Sequence, residues 1–478
     1  MKSAAFLPVA LVLANLSGLA ISLLVPLLVA ADEYSIFALT WSAGQLVASV
    51  AYEWMRFGVL RYSVGADEEL ATTRRSLLWQ GYVSVTGILL AGALLAGLAI
   101  FISPLALYVA PIAFYAACQG AFEGRQARAR ALFDNGFYSI SWVLRTFISL
   151  ALSVLAAWMT GSGAAALLGL AASYPITMLV VNRLSALPAL RASWNSEQFR
   201  FLARYGFFAA LATNISMLLP TVLRTLAIST LGLAEAGGLV LAADLSQKAI
   251  SVVGLAVNIV MMQNSIKAAE FGSDGELQQK ARMQIAIATA FVAPAALGFF
   301  LIQQPFTGLL VAAEYEATYW QSIGLACLAS GVLAFRLFAV DSLFVAFGKT
   351  EGAIVGPLLA VASTTAAIGL FAWQGLATPL AITASYAGGT IAGAIAAIHM
   401  LTRVKRIKWP TADLLKITAG CLVMLLVWWL LPRDHGAIDL LLITVACGVS
   451  YLLISLVLNT ANCRDTLQTS VRKVRKRG

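Results

Sequence analysis

Charge is what this sequence has least of. Aspartate, glutamate, lysine and arginine make up 11% of its 478 residues, and hydrophobic residues make up 60%. Ordinary soluble domains carry about 25% charged residues. A soluble globular fold is therefore excluded, and a polytopic membrane protein is left. Histidine is nearly absent. His399 and His435 are the only two, far apart and without ligand-spaced neighbours, which argues against a histidine-based zinc or catalytic centre. The five cysteines have no CxxC spacing. Cys118, Cys327, Cys421 and Cys447 lie in apolar runs and read as small buried residues, and Cys463 lies near the C-terminus. There is no Gly-rich phosphate loop, no nucleophile–base pair and no carboxylate dyad with room for water. An enzyme is not expected, nor is any cofactor or metal.

What is present is a series of apolar runs long enough to cross a bilayer at 1.5 Å per residue. They fall near 4–30, 35–57, 77–102, 104–122, 137–159, 163–182, 206–231, 236–262, 283–303, 318–346, 353–373, 379–401, 415–432 and 437–458. The fold class is all-α with about fourteen transmembrane helices. The runs are too long and too uniform for barrel strands. The first one exceeds the apolar core of a signal peptide and reads as an uncleaved span. Only "ISPLALYVAP" separates the third from the fourth.

The net charge of +10 follows the loops rather than a nucleic-acid surface. With the N-terminus inside, the cytoplasmic segments carry Arg61, Arg74 and Arg75, then Arg125, Arg128 and Arg130. Arg183, Arg191, Arg200 and Arg204 follow, then Lys267, Lys280 and Arg282, "RVKRIKWP" and "VRKVRKRG". The other side carries the acidic turns "ADEY", "LAEAG" and "AAEYEATY", with Arg433 as its one basic residue. The positive-inside rule then places both termini in the cytoplasm. The stretch 263–282 reads as either an interfacial amphipathic helix or an ordinary connector.

Two segments about 200 residues apart share a pattern. Asn15 answers Asn214, Glu33 answers Glu235, and Gln45 answers Gln247, each set spanning a helix, an acidic turn and a second helix. Such halves are common in transporters, with the substrate site at their interface. The second segment, "FRFLARYGFFAALATNISMLLPTVLRTLAISTLGLAEAGGLVLAADLSQK", resembles the seventh and eighth helices of polysaccharide-transport flippases. These belong to the multidrug/oligosaccharidyl-lipid/polysaccharide exporter superfamily. The shared features are a basic residue, Tyr-Gly, a long apolar helix with a late Arg, a Gly-containing turn and "A-x-x-G-x". Where that family often has Asp-Arg, this chain has Leu223-Arg224, so the acid is missing.

The resemblance implies two six-helix lobes around a central cavity, with two further C-terminal helices. The lobes correspond to 1–182 and 206–402, the cytoplasmic connector to 183–205, the added helices to 403–458 and a basic cytoplasmic tail to 459–478. It also implies a flippase of the bacterial inner membrane that moves polyprenyl-diphosphate-linked oligosaccharide repeat units, for exopolysaccharide or lipopolysaccharide synthesis. A glycan polymerase and export machinery of the same pathway are the implied protein partners, and nucleic acid is not expected. Lipid II flippases resemble this layout but place arginines in the first helix, which has none here. Multidrug antiporters often carry an acid there, and here none precedes Asp32.

Charges inside the runs are the candidate site, because a cation at bilayer depth usually faces protein or a water-filled cavity. The bases are Arg145, Arg224, Lys248 and Arg336. Depth along each run puts Arg145 and Lys248 near the midplane, Arg224 in the outer half and Arg336 in the inner half. Arg56 sits with Glu53 at the inner end of the second run. Arginine suits phosphate through its bidentate fork, so these cations are candidate contacts for an anionic headgroup. Asp244, Asp341 and Glu53 are candidate ion-coupling groups or charge partners. Trp41, Gln45 and Asn214 are candidate sugar contacts. The plainer readings are snorkelling of Arg224 and Arg336, an Asp244–Lys248 pair on one helix face, an interfacial Glu53–Arg56 pair, and polar helix-packing contacts. Glycan polymerases and ligases are the competing enzymes. Their sizeable catalytic loop has no counterpart here, and a small-molecule or drug exporter is the nearer alternative.

Overall fold

The computed structural model describes residues 17–62, 68–103, 106–132, 134–184, 195–271, 273–347, 349–405, 407–432 and 436–464. Among them there is no strand, and helices follow one another with short turns. They are α1 (Ser17–Leu27), α2 (Ala31–Tyr62), α3 (Glu68–Leu98), α4 (Ala106–Ala131), α5 (Asn135–Thr160), α6 (Gly163–Leu184), α7 (Ser196–Leu231) and α8 (Leu233–Phe271). Then come α9 (Asp274–Leu301), the short α10 (Gln303–Leu310), α11 (Ala313–Ala346), α12 (Glu351–Trp373), α13 (Pro379–Val404), α14 (Thr411–Leu430) and α15 (Ala437–Val457).

Each apolar run expected from the sequence is mostly helical where described. Eleven of these helices are long and apolar enough to cross a membrane. Helices α2 and α4 are long enough but too polar to be counted among them. They carry Gln45, Glu53 and Arg56, and Gln119, Glu123, Arg125 and Arg128, respectively. Helix α1 is described only from Ser17, so Asn15 of the internal pattern lies outside the described residues. So do Arg433, positions 185–194 of the expected connector and the basic tail beyond 464.

Several helices extend beyond the expected runs: α3 begins at Glu68 rather than near 77, and α4 runs on to Ala131 rather than 122. Helix α7 starts at Ser196 rather than near 206, because Asn195 caps it by accepting from the Gln198 amide at 3.0 Å. Within 263–282 no separate interfacial helix is found among the described residues. Helix α8 runs on to Phe271, and α9 begins under a Ser273 cap.

The chain forms two compact units, one of residues up to 240 with 365–382, the other of 241–364 with residues from 383 onward. In the first, α2 packs along α4 and α7, α3 along α4, and α5 along α6. Close approach is achieved by glycine. A Cβ on Gly120 of α4 would meet the Tyr52 ring at 2.0 Å, and one on Gly206 of α7 would meet the Trp54 carbonyl at 2.1 Å. At one end of this unit the Ser35 hydroxyl donates to Leu233 O at 2.7 Å, and Glu33 accepts from the Gly163 amide at 2.7 Å. The α1–α2, α5–α6 and α7–α8 turns therefore share that end. At the other end Arg74 donates to Gln198 at 3.1 Å, and Trp54 meets Phe199 edge-on. Helix ends thus alternate as consecutive spans require.

In the second unit α9 packs against α11 and α14, and α14 against α15. Pro294 interrupts α9 and leaves the Ala290 carbonyl without its i+4 amide. The Tyr451 hydroxyl of α15 donates to that carbonyl at 2.6 Å. In lipid no water is present to do the same. Large apolar side chains remain exposed on outer faces, among them Ile88 and Leu95 of α3 and Trp158 of α5. A bilayer is the solvent that suits them.

Candidate functional site

In the first unit, four helices meet at a buried polar chain. Trp41 of α2 donates its indole N–H to the Tyr115 hydroxyl of α4 at 2.9 Å. That hydroxyl lies 3.3 Å from the Tyr174 hydroxyl of α6. Arg145 of α5 donates Nη2 to Tyr174 at 2.9 Å. Its guanidinium also lies over two rings, 4.5 Å from the centre of Tyr174 and 5.3 Å from that of Trp142. The Arg145 Nε is buried with no hydrogen-bond partner among the described residues. Aromatic faces spread the charge, and the tyrosine accepts one donor.

Glu53 and Arg56 form an ion pair on α2. The Glu53 side chain is 6% exposed and that of Arg56 41%, so the base opens outward from a buried acid. Glu123 of α4 bears on the same pair and accepts from Gln119 at 2.8 Å. Asn214 of α7 accepts from the Ser49 hydroxyl at 2.6 Å, which ties α7 to α2. Gln45 is half-buried. Arg224 is buried within α7, at 8% exposure, and is engaged by neighbouring groups. It does not snorkel into the open.

In the second unit, Asp244 and Lys248 stand one turn apart on α8, the acid buried and the base half-buried. Arg336 and Asp341 occupy a π-helical turn inside α11, with Nε 3.2 Å from Oδ2. Five residues apart, they would lie on different faces of a regular α-helix, and the wider π turn brings them together. Gln284 of α9 donates to the Phe338 carbonyl of this turn at 3.2 Å and accepts from Ser265 at 2.6 Å. Arg336 is thus matched by an acid of its own helix.

Beside these charges is an apolar groove of about 1370 Å³, bounded by α8, α9, α14 and α15. Ala249, the residue after Lys248, lines it, as do Val253, Pro294, Met424 and Tyr451. Phe291 and Leu452 on its lining are about half exposed. The volume exceeds the roughly 300–1,000 Å³ of ordinary small-molecule pockets.

Tyr115, Tyr174, Trp142, Glu123 and Gln284 were not singled out by the sequence reading. Single tyrosines in apolar runs, as in "AFYAACQ" and "AASYPIT", are the one signal that pointed to the first two. The groove had none, since its lining is ordinary apolar sequence.

Among the described residues the arrangement is one of two helical units with sparse interior charges. Comparison with solved structures places the fold more closely. The chain is similar to lipid II flippase MurJ in an inward closed conformation, with a TM-score of 0.71 at 13% identity over 96% of this chain and 99% of that one. It is similar to an inward-facing multidrug resistance MATE family transporter of the MOP superfamily, at TM-score 0.60 and 14% identity over 84% and 96%. It also matches the MATE multidrug transporter DinF-BH, at 0.59 and 11% over 84% and 94%. The chain therefore shares its fold with these transporters. No family model matches the sequence, and no curated protein does.

Proposed function

We propose that this protein is a flippase for a polyprenyl-diphosphate-linked oligosaccharide, acting in the bacterial inner membrane by alternating access of lobes 1–182 and 206–402. The observation that carries this reading is the apolar groove beside Lys248. A lipid-linked sugar is a ligand of two natures, a long hydrocarbon and an anionic polar head. The groove suits the first, and the cations Lys248, Arg224, Arg145 and Arg56 suit the second. Arg336 is left to structure, because Asp341 already matches its charge. Basic loops support a cytoplasmic location for both termini. A glycan polymerase and export machinery that take up the flipped unit are the proposed partners.

A drug exporter is the second reading, favoured by the multidrug transporters among similar structures. Interior bases speak against a cationic drug as the substrate. The test is reconstitution in liposomes with a lipid-linked oligosaccharide on one leaflet and a sugar-cleaving enzyme outside. Faster loss of protected substrate than in empty liposomes is expected. Dye export without lipid movement would replace the reading with the drug exporter. Lengthening of the glycan would replace it with a polymerase.

A further inference from the structure

A second group of bases lies where α3 begins and α4 ends. Arg128 of α4 is 8% exposed. Its guanidinium lies over the Trp79 ring of α3, 5.7 Å from the centre. Its Nε and Nη2 are buried with no hydrogen-bond partner among the described residues. The charges that bear on it are Arg125 and Arg75, both of the same sign. Arg125 is positioned by a bond to Asn182 of α6. Arg75 is on the same stripe of α3 as Trp79, four residues earlier, and donates to Thr72 at 2.9 Å.

Positive loops alone do not account for this geometry. The positive-inside rule asks for bases that reach water, and a helix C-terminus favours a cation only weakly at an exposed position. Neither requires a guanidinium that is buried, stacked on one face and unpartnered along one edge. A buried charge is ordinarily matched by an opposite one. Here the nearest charges repel. An anion would answer both: it takes the open edge of Arg128 and offsets the repulsion among the arginines. The fork of a stacked guanidinium fits the oxygens of phosphate.

We infer that Arg128, with Arg125 and Arg75, forms a binding site for a phosphate group at this end of the first unit. The group belongs either to an anionic lipid headgroup or to a soluble phosphate or diphosphate. The site does not depend on what the protein transports.

The test uses the full chain in nanodiscs. In neutral phosphatidylcholine discs, inorganic pyrophosphate is titrated and its affinity measured by calorimetry. In a second arm, part of the lipid is replaced with phosphatidylglycerol, and bound lipid is counted by native mass spectrometry. Wild-type protein is expected to bind in at least one arm. Arg128→Gln should weaken that binding roughly ten- to a hundredfold, the range set by losing one or two charge-assisted hydrogen bonds. Arg128→Lys should fall between, since charge is kept and the fork is lost. Lys405→Gln, a surface change far along the chain, should bind as wild type. A response to pyrophosphate identifies a soluble or diphosphate ligand, and a response to phosphatidylglycerol alone identifies a lipid. If Arg128→Gln does not fold, Arg125→Gln carries the same expectation. Undiminished binding in these variants, or no response of the wild type to either probe, overturns the site. Neither result bears on flipping.

Discussion

Arg145 is accommodated in an apolar helix because its neighbours replace water piecemeal. Two rings lie against it and one hydroxyl accepts from it. Tyr174→Phe keeps the ring and removes the hydroxyl, which also meets Tyr115. It should cost about 1–2 kcal/mol, read as a lower unfolding midpoint in detergent, and Tyr174→Ala should cost more. Lys248 is different, being half-buried beside the groove. Lys248→Ala should lower flipping in liposomes with protein abundance near normal, and Lys248→Arg should keep much of it. A scaffolding role predicts another pattern. Lys248→Ala and Asp244→Asn would each reduce abundance, and the double variant would recover both abundance and transport. That recovery would remove Lys248 from the substrate path.

At the scale of the element, irregular backbone is repaired from outside the helix that contains it. The π turn of α11 brings Arg336 to Asp341, and Gln284 from α9 bonds its Phe338 carbonyl. Breaking a buried pair leaves one charge uncompensated and costs about 3–5 kcal/mol, whereas removing both partners is often near neutral. Arg336→Leu alone should therefore destabilise strongly, and Arg336→Leu with Asp341→Leu should regain most of the loss in an unfolding assay. Equal loss in single and double variants would show that the pair is not what holds the turn. Tyr451 plays the matching part at Pro294. Tyr451→Phe leaves the Ala290 carbonyl unsatisfied and should cost about 1–3 kcal/mol, with α9 and α15 loosening together in hydrogen exchange.

For the whole molecule, the alternation of helix ends makes a testable topology. In the second unit Lys405, just past α13, reaches Asp274 at the start of α9 at 2.7 Å, so the α8–α9 turn and the end of α13 share a side. Glu314 opens α11 at the other end of its span. An impermeant thiol reagent added outside intact cells should label Glu314→Cys and miss Asp274→Cys, each in a background without the native cysteines. The reverse pattern would invert the orientation and move the cationic connectors outside.

What the sequence determined by itself was the class. Scarce charge and long apolar runs leave helices as the direct way to satisfy the backbone in lipid, and "FLARYGFFAALATNISMLLPTVLRTLA" was enough to point toward the exporter superfamily whose fold the structure has. It also marked the interior charges, because an arginine in an apolar run stands out whatever surrounds it. It could not say which of them were already matched. Arg336 and Asp341 are five residues apart, a separation that looks unrelated until a π turn closes it. Trp41 and Arg145 are joined through Tyr115 and Tyr174, two residues with no charge to announce them. The groove beside Lys248 is assembled from helices far apart in the chain, each apolar in the ordinary way. A local pattern records what a residue is. Which groups neutralise it, and where a gap is left between helices, depends on long-range packing that only the tertiary structure decided.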